Sequence, residues 1–335
     1  MEPTIKDVAK RAQVSTATVS RVLNEQHWVA EGTRATVFKA VQELNYKPNA
    51  VARSLMHSQT KTLAIIFPNV SDMFSGTVLT GAEDAAHARG FSVIICKTGG
   101  GKERTLSYLQ LLAEKRVDGI IFASEVLLAE YAEFIQRLGI PLVVLSGETV
   151  EPGVPIIRCD DHQAAYAATA YLIGLGHERI GMLYGGAHET AEQNGRLLGF
   201  HEAHRDHGLV VEGAQVVCMD GFAFKDGQVG GGQLIKQCRG LSAIFASSDE
   251  LALGVMSAAF VRGIRVPDDL SVMGFDDLPL AEMSLPPLTT VRQPLYGMGR
   301  RAATLLLDHI QGLQKLGENA VFPTTIVERQ SVRRL

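Results

Sequence analysis

The chain has 335 residues, 46% of them hydrophobic, and a formal charge of −4. That length supports two or three domains. High hydrophobic content with so little net charge excludes an intrinsically disordered chain. No apolar run reaches membrane-spanning length, and the N-terminus lacks the apolar stretch of a signal peptide. The expected location is therefore the cytoplasm, with no membrane partner. Cys96, Cys159, Cys218 and Cys238 form no CxxC pair and read as reduced thiols, without disulfide or zinc site. Charge is uneven along the chain. Residues 1–60 carry eight Lys or Arg against five Asp or Glu, a basic head on an acidic body. Such a head suits one polyanion-binding module.

From the N-terminus, helical spacing of Ile5, Val8, Ala9 and Ala12 predicts a first helix over Ile5–Ala12. Thr4 is its N-cap, and Asp7 sits at the capping-box position. Ser15 caps a second helix that buries Val19, Val22 and Leu23. A third runs from about Thr33 to Leu44, with Val37, Val41 and Leu44 on one face. Pro48 stops regular structure. The first two helices read as a helix-turn-helix, whose second helix fits a DNA major groove. The following segment, Pro48 to Leu55, is one or two helical turns, too short to be stable alone. His57 to Lys61 reads as a polar linker.

From Thr62 the pattern changes to apolar runs alternating with amphipathic helices. Strands are predicted at Leu63–Phe67, Ser92–Cys96, Gly119–Ala123, Leu142–Leu145 and Ile156–Cys159. Five more are predicted at Ile180–Tyr184, Gln215–Met219, Ala243–Ala246, Ser271–Gly274 and Thr289–Arg292. Helices between them include Ala164–Gly174, Glu189–His207, Gly227–Gln237, Glu250–Arg262 and Tyr296–Gln311. Strand–helix alternation argues for parallel sheets in right-handed units. Some ten strands are too many for one such sheet, so two similar subdomains are expected, with a ligand seam at the strand C-termini.

The segments TIKDVAKRAQVSTATVSRVLN, NYKPNAVARSL, VDGIIF, LGHERIGML, SSDELALG, VPDDLSVMGFDD and PPLTTVRQP together resemble the lactose/galactose repressor (LacI/GalR) family. The likeness runs essentially end to end, in order and spacing. The head looks most like the catabolite control proteins and their sugar-operon relatives. The resemblance implies an α plus α/β chain: a helix-turn-helix headpiece over 1–47, a hinge helix and linker over 48–60, and an effector-binding core over 61–335. The core is expected to resemble periplasmic sugar-binding proteins. One subdomain would comprise about 61–159 plus 292–320, the other about 160–289 plus 321–331. The family implies a bacterial homodimer, nucleoid-associated when bound, on a pseudo-palindromic operator.

Thr16, Ala17 and Arg21 match positions that face base edges in the family. Arg21 can donate twice to guanine, and Ala17 can meet a thymine methyl. Thr16 and Ser20 are equally plausible phosphate donors. Thr4, Ser15, Thr18 and Asn24 complete the DNA-facing set on the headpiece. Leu55 matches the hinge leucine that wedges into the minor groove at the operator centre, with Asn49, Ala50 and Arg53 alongside. The other reading of Leu55 is packing on the core.

For the effector, Arg196 and Asp276 match the family's pocket arginine and aspartate, which can each grip a diol bidentately. The bland reading of the pair is a structural ion pair across the seam. Phe222 matches a ring-stacking aromatic. Gln293, Asp72, Phe74 and Ser146 are placed around the same pocket. Ser248 stands where the family often has Asn, which alters the hydroxyl pattern that can be read. Asp160, Asp161 and Asp277 read as strand-end caps and turn residues.

The main expectation is a sequence-specific repressor of a sugar-utilisation operon, switched by a sugar or sugar derivative, with no cofactor, no metal and no catalytic motif. One alternative is a pleiotropic catabolite regulator controlled by a phosphorylated protein partner. Gly297, Thr304 and Asp308 occupy the positions where that partner's receptor carries Asp, Arg and Lys, which argues against it. A nucleoside- or nucleobase-responsive repressor is another. Gly99-Gly100-Gly101-Lys102 lacks the remaining residues of a phosphate-binding loop. Gly230-Gly231-Gly232 sits in a predicted helix and implies close packing or a shortened helix. His201, His204 and His207 recur every three residues without an accompanying metal motif.

Overall fold

The computed structural model describes residues 3–23, 29–46, 59–124, 126–149, 151–186 and 194–335. The chain divides into two compact units, Met1–Thr60 and Lys61–Leu335. The first unit holds α1 (Ile5–Ala12), α2 (Thr16–Leu23) and α3 (Glu31–Glu43). Thr4 donates from its backbone N–H and its hydroxyl to the Asp7 carboxylate, at 2.8 and 2.7 Å. These two hydrogen bonds hold the Asp7 pKa below its ordinary value. Gln13 takes a left-handed conformation, φ 54°, and turns the chain out of α1. Ser15 then caps α2, its Oγ accepting from Thr18 N–H at 3.1 Å. Val8, Ala9, Ala12, Val19, Val22, Val37 and Ala40 form the buried core, with Leu23, Val41 and Leu44 against it. The apolar stripes read from the sequence thus converge on one another.

The second unit contains two six-stranded sheets among its described residues. The strands of the first are β1 (Thr62–Phe67), β2 (Ser92–Lys97), β3 (Gly119–Ala123), β4 (Leu142–Leu145), β5 (Ile156–Cys159) and β11 (Ala320–Phe322). Their order is β11-β5-β4-β3-β1-β2. The second sheet uses β6 (Ile180–Gly185), β7 (Val216–Met219), β8 (Ala243–Ala246), β9 (Ser271–Asp276), β10 (Thr289–Arg292) and β12 (Thr325–Val327). Its order is β12-β10-β9-β8-β6-β7. All pairings are parallel except β10 with β12. Parallel strands need crossover helices on both faces. Those helices are α4 (Met73–Ala88), α5 (Lys102–Lys115), α6 (Ala129–Arg137), α7 (Asp161–Gly174), α8 (Gly195–Asp206), α9 (Phe224–Gln237), α10 (Asp249–Val261), a short α11 (Pro279–Met283) and α12 (Leu295–Ile310). Each sheet is covered on its two faces by separate apolar clusters.

Two strands were not anticipated from the sequence. β11 and β12 have three residues each and lie at sheet edges, so alternation is too short to read. β10 belongs to the second sheet through Arg292, so that half extends past residue 289. The chain passes between the halves three times: after Cys159, after Arg292, and between Phe322 and Thr325. The predicted helix beginning at Ala164 starts at Asp161, because the Asp160 carboxylate accepts from Gln163 N–H at 3.0 Å and caps it.

His177 and His204 are buried and carry one further consequence. The His204 Nδ1–H donates to the Phe200 carbonyl at 2.9 Å, and its Nε2 has no partner. The His177 Nε2–H donates to the Arg333 carbonyl at 3.0 Å. Burial lowers both pKa values. A depressed histidine pKa contributes stability that is complete above the unfolded value of ~6.5 and is lost as pH falls below it. His204→Leu is therefore expected to lower the acid sensitivity of the core below pH 6.5, by up to ~1.4 kcal/mol per pH unit. Thermal melts of native and variant protein from pH 7.5 to 5 check this; parallel curves would refute it.

Candidate nucleic-acid interface and effector cleft

On α2, the buried residues Val19 and Val22 face the headpiece core. Helical spacing then turns Thr16, Ala17 and Arg21 outward, and all three are exposed. Thr18 is half-buried, with its Oγ1 2.9 Å from Ser15 Oγ. Thr4 and Ser15 are helix caps, so their hydroxyls serve the fold first. The exposed stripe on α2 carries an Arg, a hydroxyl and a methyl, the groups that read a major groove. Asn24, Asn49, Ala50, Arg53 and Leu55, and with them the expected hinge helix, lie outside the described residues.

The core places its chemistry where strand C-termini meet helix N-termini. β9 ends at Asp276, which is 4% exposed, and both Asp276 and Asp277 have positive φ, 111° and 59°. The two consecutive carboxylates do different things. Asp276 Oδ1 accepts from Gln293 Nε2 at 2.7 Å. Asp277 accepts from Arg292 Nε and Arg329 Nη2, each at 2.6 Å. The bland reading of Asp277 as a turn residue is thus given a definite form: it ties two crossing segments together. Burial pushes the Asp276 pKa up to about 7, against the opposing pull of Arg196 and the Gln293 hydrogen bond, with Asp161 and Asp72 adding to the rise.

Arg196 lies in the first turn of α8, whose N-cap Asn194 accepts from Leu197 N–H at 3.0 Å. Its guanidinium stacks over the Phe275 ring at 3.8 Å and donates to the Ser247 carbonyl. Its ion partner is Asp161, with Nε 3.3 Å from Oδ2. The structural ion pair considered from the sequence therefore forms with Asp161 rather than Asp276. The sequence shows Asp161 only as a cap or turn residue, because an Asp at the head of a helix carries no local signal of an arginine 35 positions away.

The remaining candidates fall around these groups. Asp72 caps α4, accepting from Ser75 N–H at 2.6 Å. Phe74 is half-buried against the core of the first half. Met73 N–H donates to Glu250 Oε1 at 3.4 Å, a contact between the two halves. Burial raises the Glu250 pKa, and Asp72 adds to the rise. Ser146, φ 48°, closes β4, and Ser124, φ 61°, closes β3. Both hydroxyl oxygens are buried without a hydrogen-bond partner. Ser124 was not singled out from the sequence, where a serine after an apolar strand is unremarkable. Phe222 is 45% exposed. Ser248 is engaged in the fold: its Oγ accepts from Leu251 N–H at 3.1 Å and donates to the Phe222 carbonyl at 3.4 Å. Asp249 is fully buried, accepting from Thr290 Oγ1 at 2.5 Å and Leu278 N–H at 2.7 Å.

A helix-turn-helix unit followed by two wound sheets with polar groups at their strand ends defines a DNA-binding regulator with a ligand-binding core. Residues 4–49 match the sequence pattern of bacterial regulatory proteins of the lacI family, and residues 169–332 that of a periplasmic binding protein-like domain. The chain is 38% identical over 341 residues to the HTH-type transcriptional repressor PurR of Vibrio atlanticus, covering 99% of each protein. It is 36% identical over 330 residues to the ribose operon repressor of Halalkalibacterium halodurans, covering 98% of this chain and 97% of that one. The Lac repressor dimer bound to operator and the anti-inducer ONPF superposes with a TM-score of 0.87 at 26% identity, covering 99% of this chain and 100% of that one. The chain belongs to the lacI family of bacterial transcriptional regulators.

Proposed function

We propose that the protein is a homodimeric repressor of a sugar-utilisation operon, released from or directed to its operator by a small polyhydroxylated effector. It acts without catalysis, in the cytoplasm. Arg21, Ala17 and Thr16 read base edges, and Ser20 contacts phosphate. Arg196, Asp276, Gln293, Ser146, Asp72, Phe74 and Phe222 surround the effector, while Ser248 holds the Phe222 loop to α10. The observation that carries the reading is the arrangement at the strand ends. A buried carboxylate and a guanidinium lie at strand ends of the second half, and β3 and β4 of the first half end in serine hydroxyls buried without a partner; such groups can donate to and accept from several ligand hydroxyls. The ribose operon repressor among the relatives points the same way. A phosphoprotein-controlled regulator fits less well, since Asp308 accepts from Arg89 Nη1 at 2.6 Å, an acid where a phosphate receptor needs a cation.

A melting screen of sugars and nucleosides tests the reading, because a ligand of the native state raises Tm. A sugar that raises Tm and alters operator affinity supports it. A nucleobase doing so in its place would favour the nucleobase-responsive alternative. For the DNA face, Arg21→Ala is expected to lower operator-over-random discrimination by about 5- to 150-fold per half-site, as loss of a bidentate guanine contact costs ~1–3 kcal/mol. Effector-induced melting shifts should stay as in the native chain. Titration of a duplex selected from a random pool, at fixed salt, decides it; an unchanged specificity ratio refutes the assignment.

A further inference from the structure

We infer that the cleft takes an uncharged polyhydroxylated effector and turns away the phosphorylated or carboxylated form of the same molecule. This deepens, and rests on, the effector site proposed above. The natural place for an anion in such a fold is a helix N-terminus, where free N–H groups and the helix dipole converge. Four helices that follow strand ends here, α4, α7, α8 and α10, each have one of those N–H groups already answered by the cap side chain. Asp72 accepts from Ser75 N–H at 2.6 Å, Asp160 from Gln163 N–H at 3.0 Å, Asn194 from Leu197 N–H at 3.0 Å and Ser248 from Leu251 N–H at 3.1 Å. Two of these caps are carboxylates. Of the three helices of the first half that start without a side-chain cap, α5 and α6 carry Glu103 and Glu130 in their first turns, and only α12, after Pro294, has neither a side-chain cap nor an acid there.

The cation that would receive an anion is engaged as well. Arg196 is paired with Asp161 at 3.3 Å and bonded to the Ser247 carbonyl. Around it, Asp276 is within electrostatic reach of both Asp161 and Asp72, and Glu250 of Asp72. Arg292 and Arg329 are both bound to Asp277. Among the described residues, an incoming phosphate would meet the carboxyl groups of Asp72, Asp161, Glu250 and Asp276 and the guanidinium of Arg196, which already has Asp161 as its counter-ion. Such repulsion is strong away from bulk water. A neutral polyol meets no such barrier. It can donate hydroxyls to Asp276, accept from Arg196, and satisfy the buried hydroxyls of Ser124 and Ser146.

Matched probes test this on the full-length protein by calorimetry and melting at fixed ionic strength. They are D-ribose with ribose 5-phosphate, D-glucose with glucose 6-phosphate, gluconate and glucosamine, and adenosine with its 5′-phosphate. Whichever neutral scaffold binds, its anionic partner is expected to bind at least about 30-fold more weakly. Glucosamine is expected to bind no worse than glucose. The double variant Asp72→Asn, Glu250→Gln keeps the α4 cap, because Asn also accepts there, and is expected to shrink the gap to under about tenfold. An anionic partner that binds as well as its neutral parent overturns the inference and leaves the effector site standing. A gap unchanged in the double variant also overturns it, since the discrimination is then steric. Silence from every probe, neutral and charged, overturns the effector reading and this inference with it.

Discussion

Replacing Asp276 with Asn is expected to stabilise the protein and deafen it to its effector. The carboxylate is fully enclosed and its pKa is raised to about 7 by burial, offset in part by Arg196 and Gln293. A raised carboxyl pKa favours the proton in the folded state. Its stability contribution is complete below ~3.9, the unfolded value, and is lost as pH rises through about 7. Above pH 7 the native chain therefore holds a buried negative charge at a cost of a few kcal/mol, taking ~1.4 kcal/mol per pH unit. Asn has the same shape, tolerates the positive φ of this position, and can still accept from Gln293. The melting temperature of Asp276→Asn should equal that of the native chain near pH 4, exceed it progressively up to about pH 7, and level off above that. Effector affinity should fall by about 10- to 150-fold, the worth of a hydrogen bond to a charged acceptor. The effector concentration that half-saturates the operator response should rise by the matching factor, since occupancy of the cleft drives that response. In the native chain, affinity should also drop as pH falls below 7, and that dependence should vanish in the variant. Equal melting curves across this range, with effector affinity unchanged, would mean that Asp276 is no part of the cleft.

The sequence showed most of the scaffold, for reasons that are physical and local. α1 and α2 carry capping residues and apolar stripes at helical spacing, so their boundaries follow from Thr4, Asp7 and Ser15 alone. The central strands are buried on both faces and read as short apolar runs, as β3, β4 and β8 do. β11 and β12 escaped because three residues hold no period. In the proposed cleft, Arg196, Asp276 and Gln293 are candidates through family resemblance, and the structure brings Asp276 and Gln293 into direct contact. What stayed hidden were long-range partnerships. Asp161 is 35 positions from Arg196, and nothing local in either segment announces the pair. Ser124 becomes notable only when its hydroxyl is found buried without a partner. Ser248 has a structural role that its identity alone does not show: at the N-cap of α10 its hydroxyl accepts from Leu251 N–H and reaches the Phe222 carbonyl.

The run of glycines in α9, compatible from sequence with close packing or a shortened helix, leads to the other large expected effect. The helix is not shortened: it runs from Phe224 to Gln237. Gly231 of the run, with Gly227 one turn earlier, lets α10 approach, an added Cβ on Gly231 lying 2.9 Å from Val255 Cα, while Gly230 lies against the Leu183 and Met219 side chains of the sheet. A Cβ on Gly227 would lie 2.3 Å from the Leu251 carbonyl oxygen, and one on Gly254 would lie 2.3 Å from the Phe224 carbonyl oxygen and 2.5 Å from Gly227 Cα. Those atoms are backbone and cannot swing aside. Helix propensity alone says that Gly254→Ala should stabilise by ~1 kcal/mol. Packing says the reverse, since overfilling a tight contact costs about 1–3 kcal/mol or more. At this separation the steric term wins, and Gly254→Ala is expected to destabilise by roughly 2–3 kcal/mol. Gly232 supplies the contrast. Its added Cβ would meet the Arg262 Nη2 at 2.7 Å, the far end of a flexible side chain that can move. Gly232→Ala is therefore expected to be neutral or to stabilise by up to ~1 kcal/mol. The consequence reaches the cleft, because the Phe222 carbonyl at the head of α9 is held by Ser248 at the head of α10. Forcing the helices apart at Gly254 should loosen that link and weaken effector binding together with stability, whereas Gly232→Ala should leave binding intact. Denaturant unfolding of both variants beside calorimetric titration settles the matter. If Gly254→Ala proves as stable as the native chain, the close approach of α9 and α10 is not what the glycines are for.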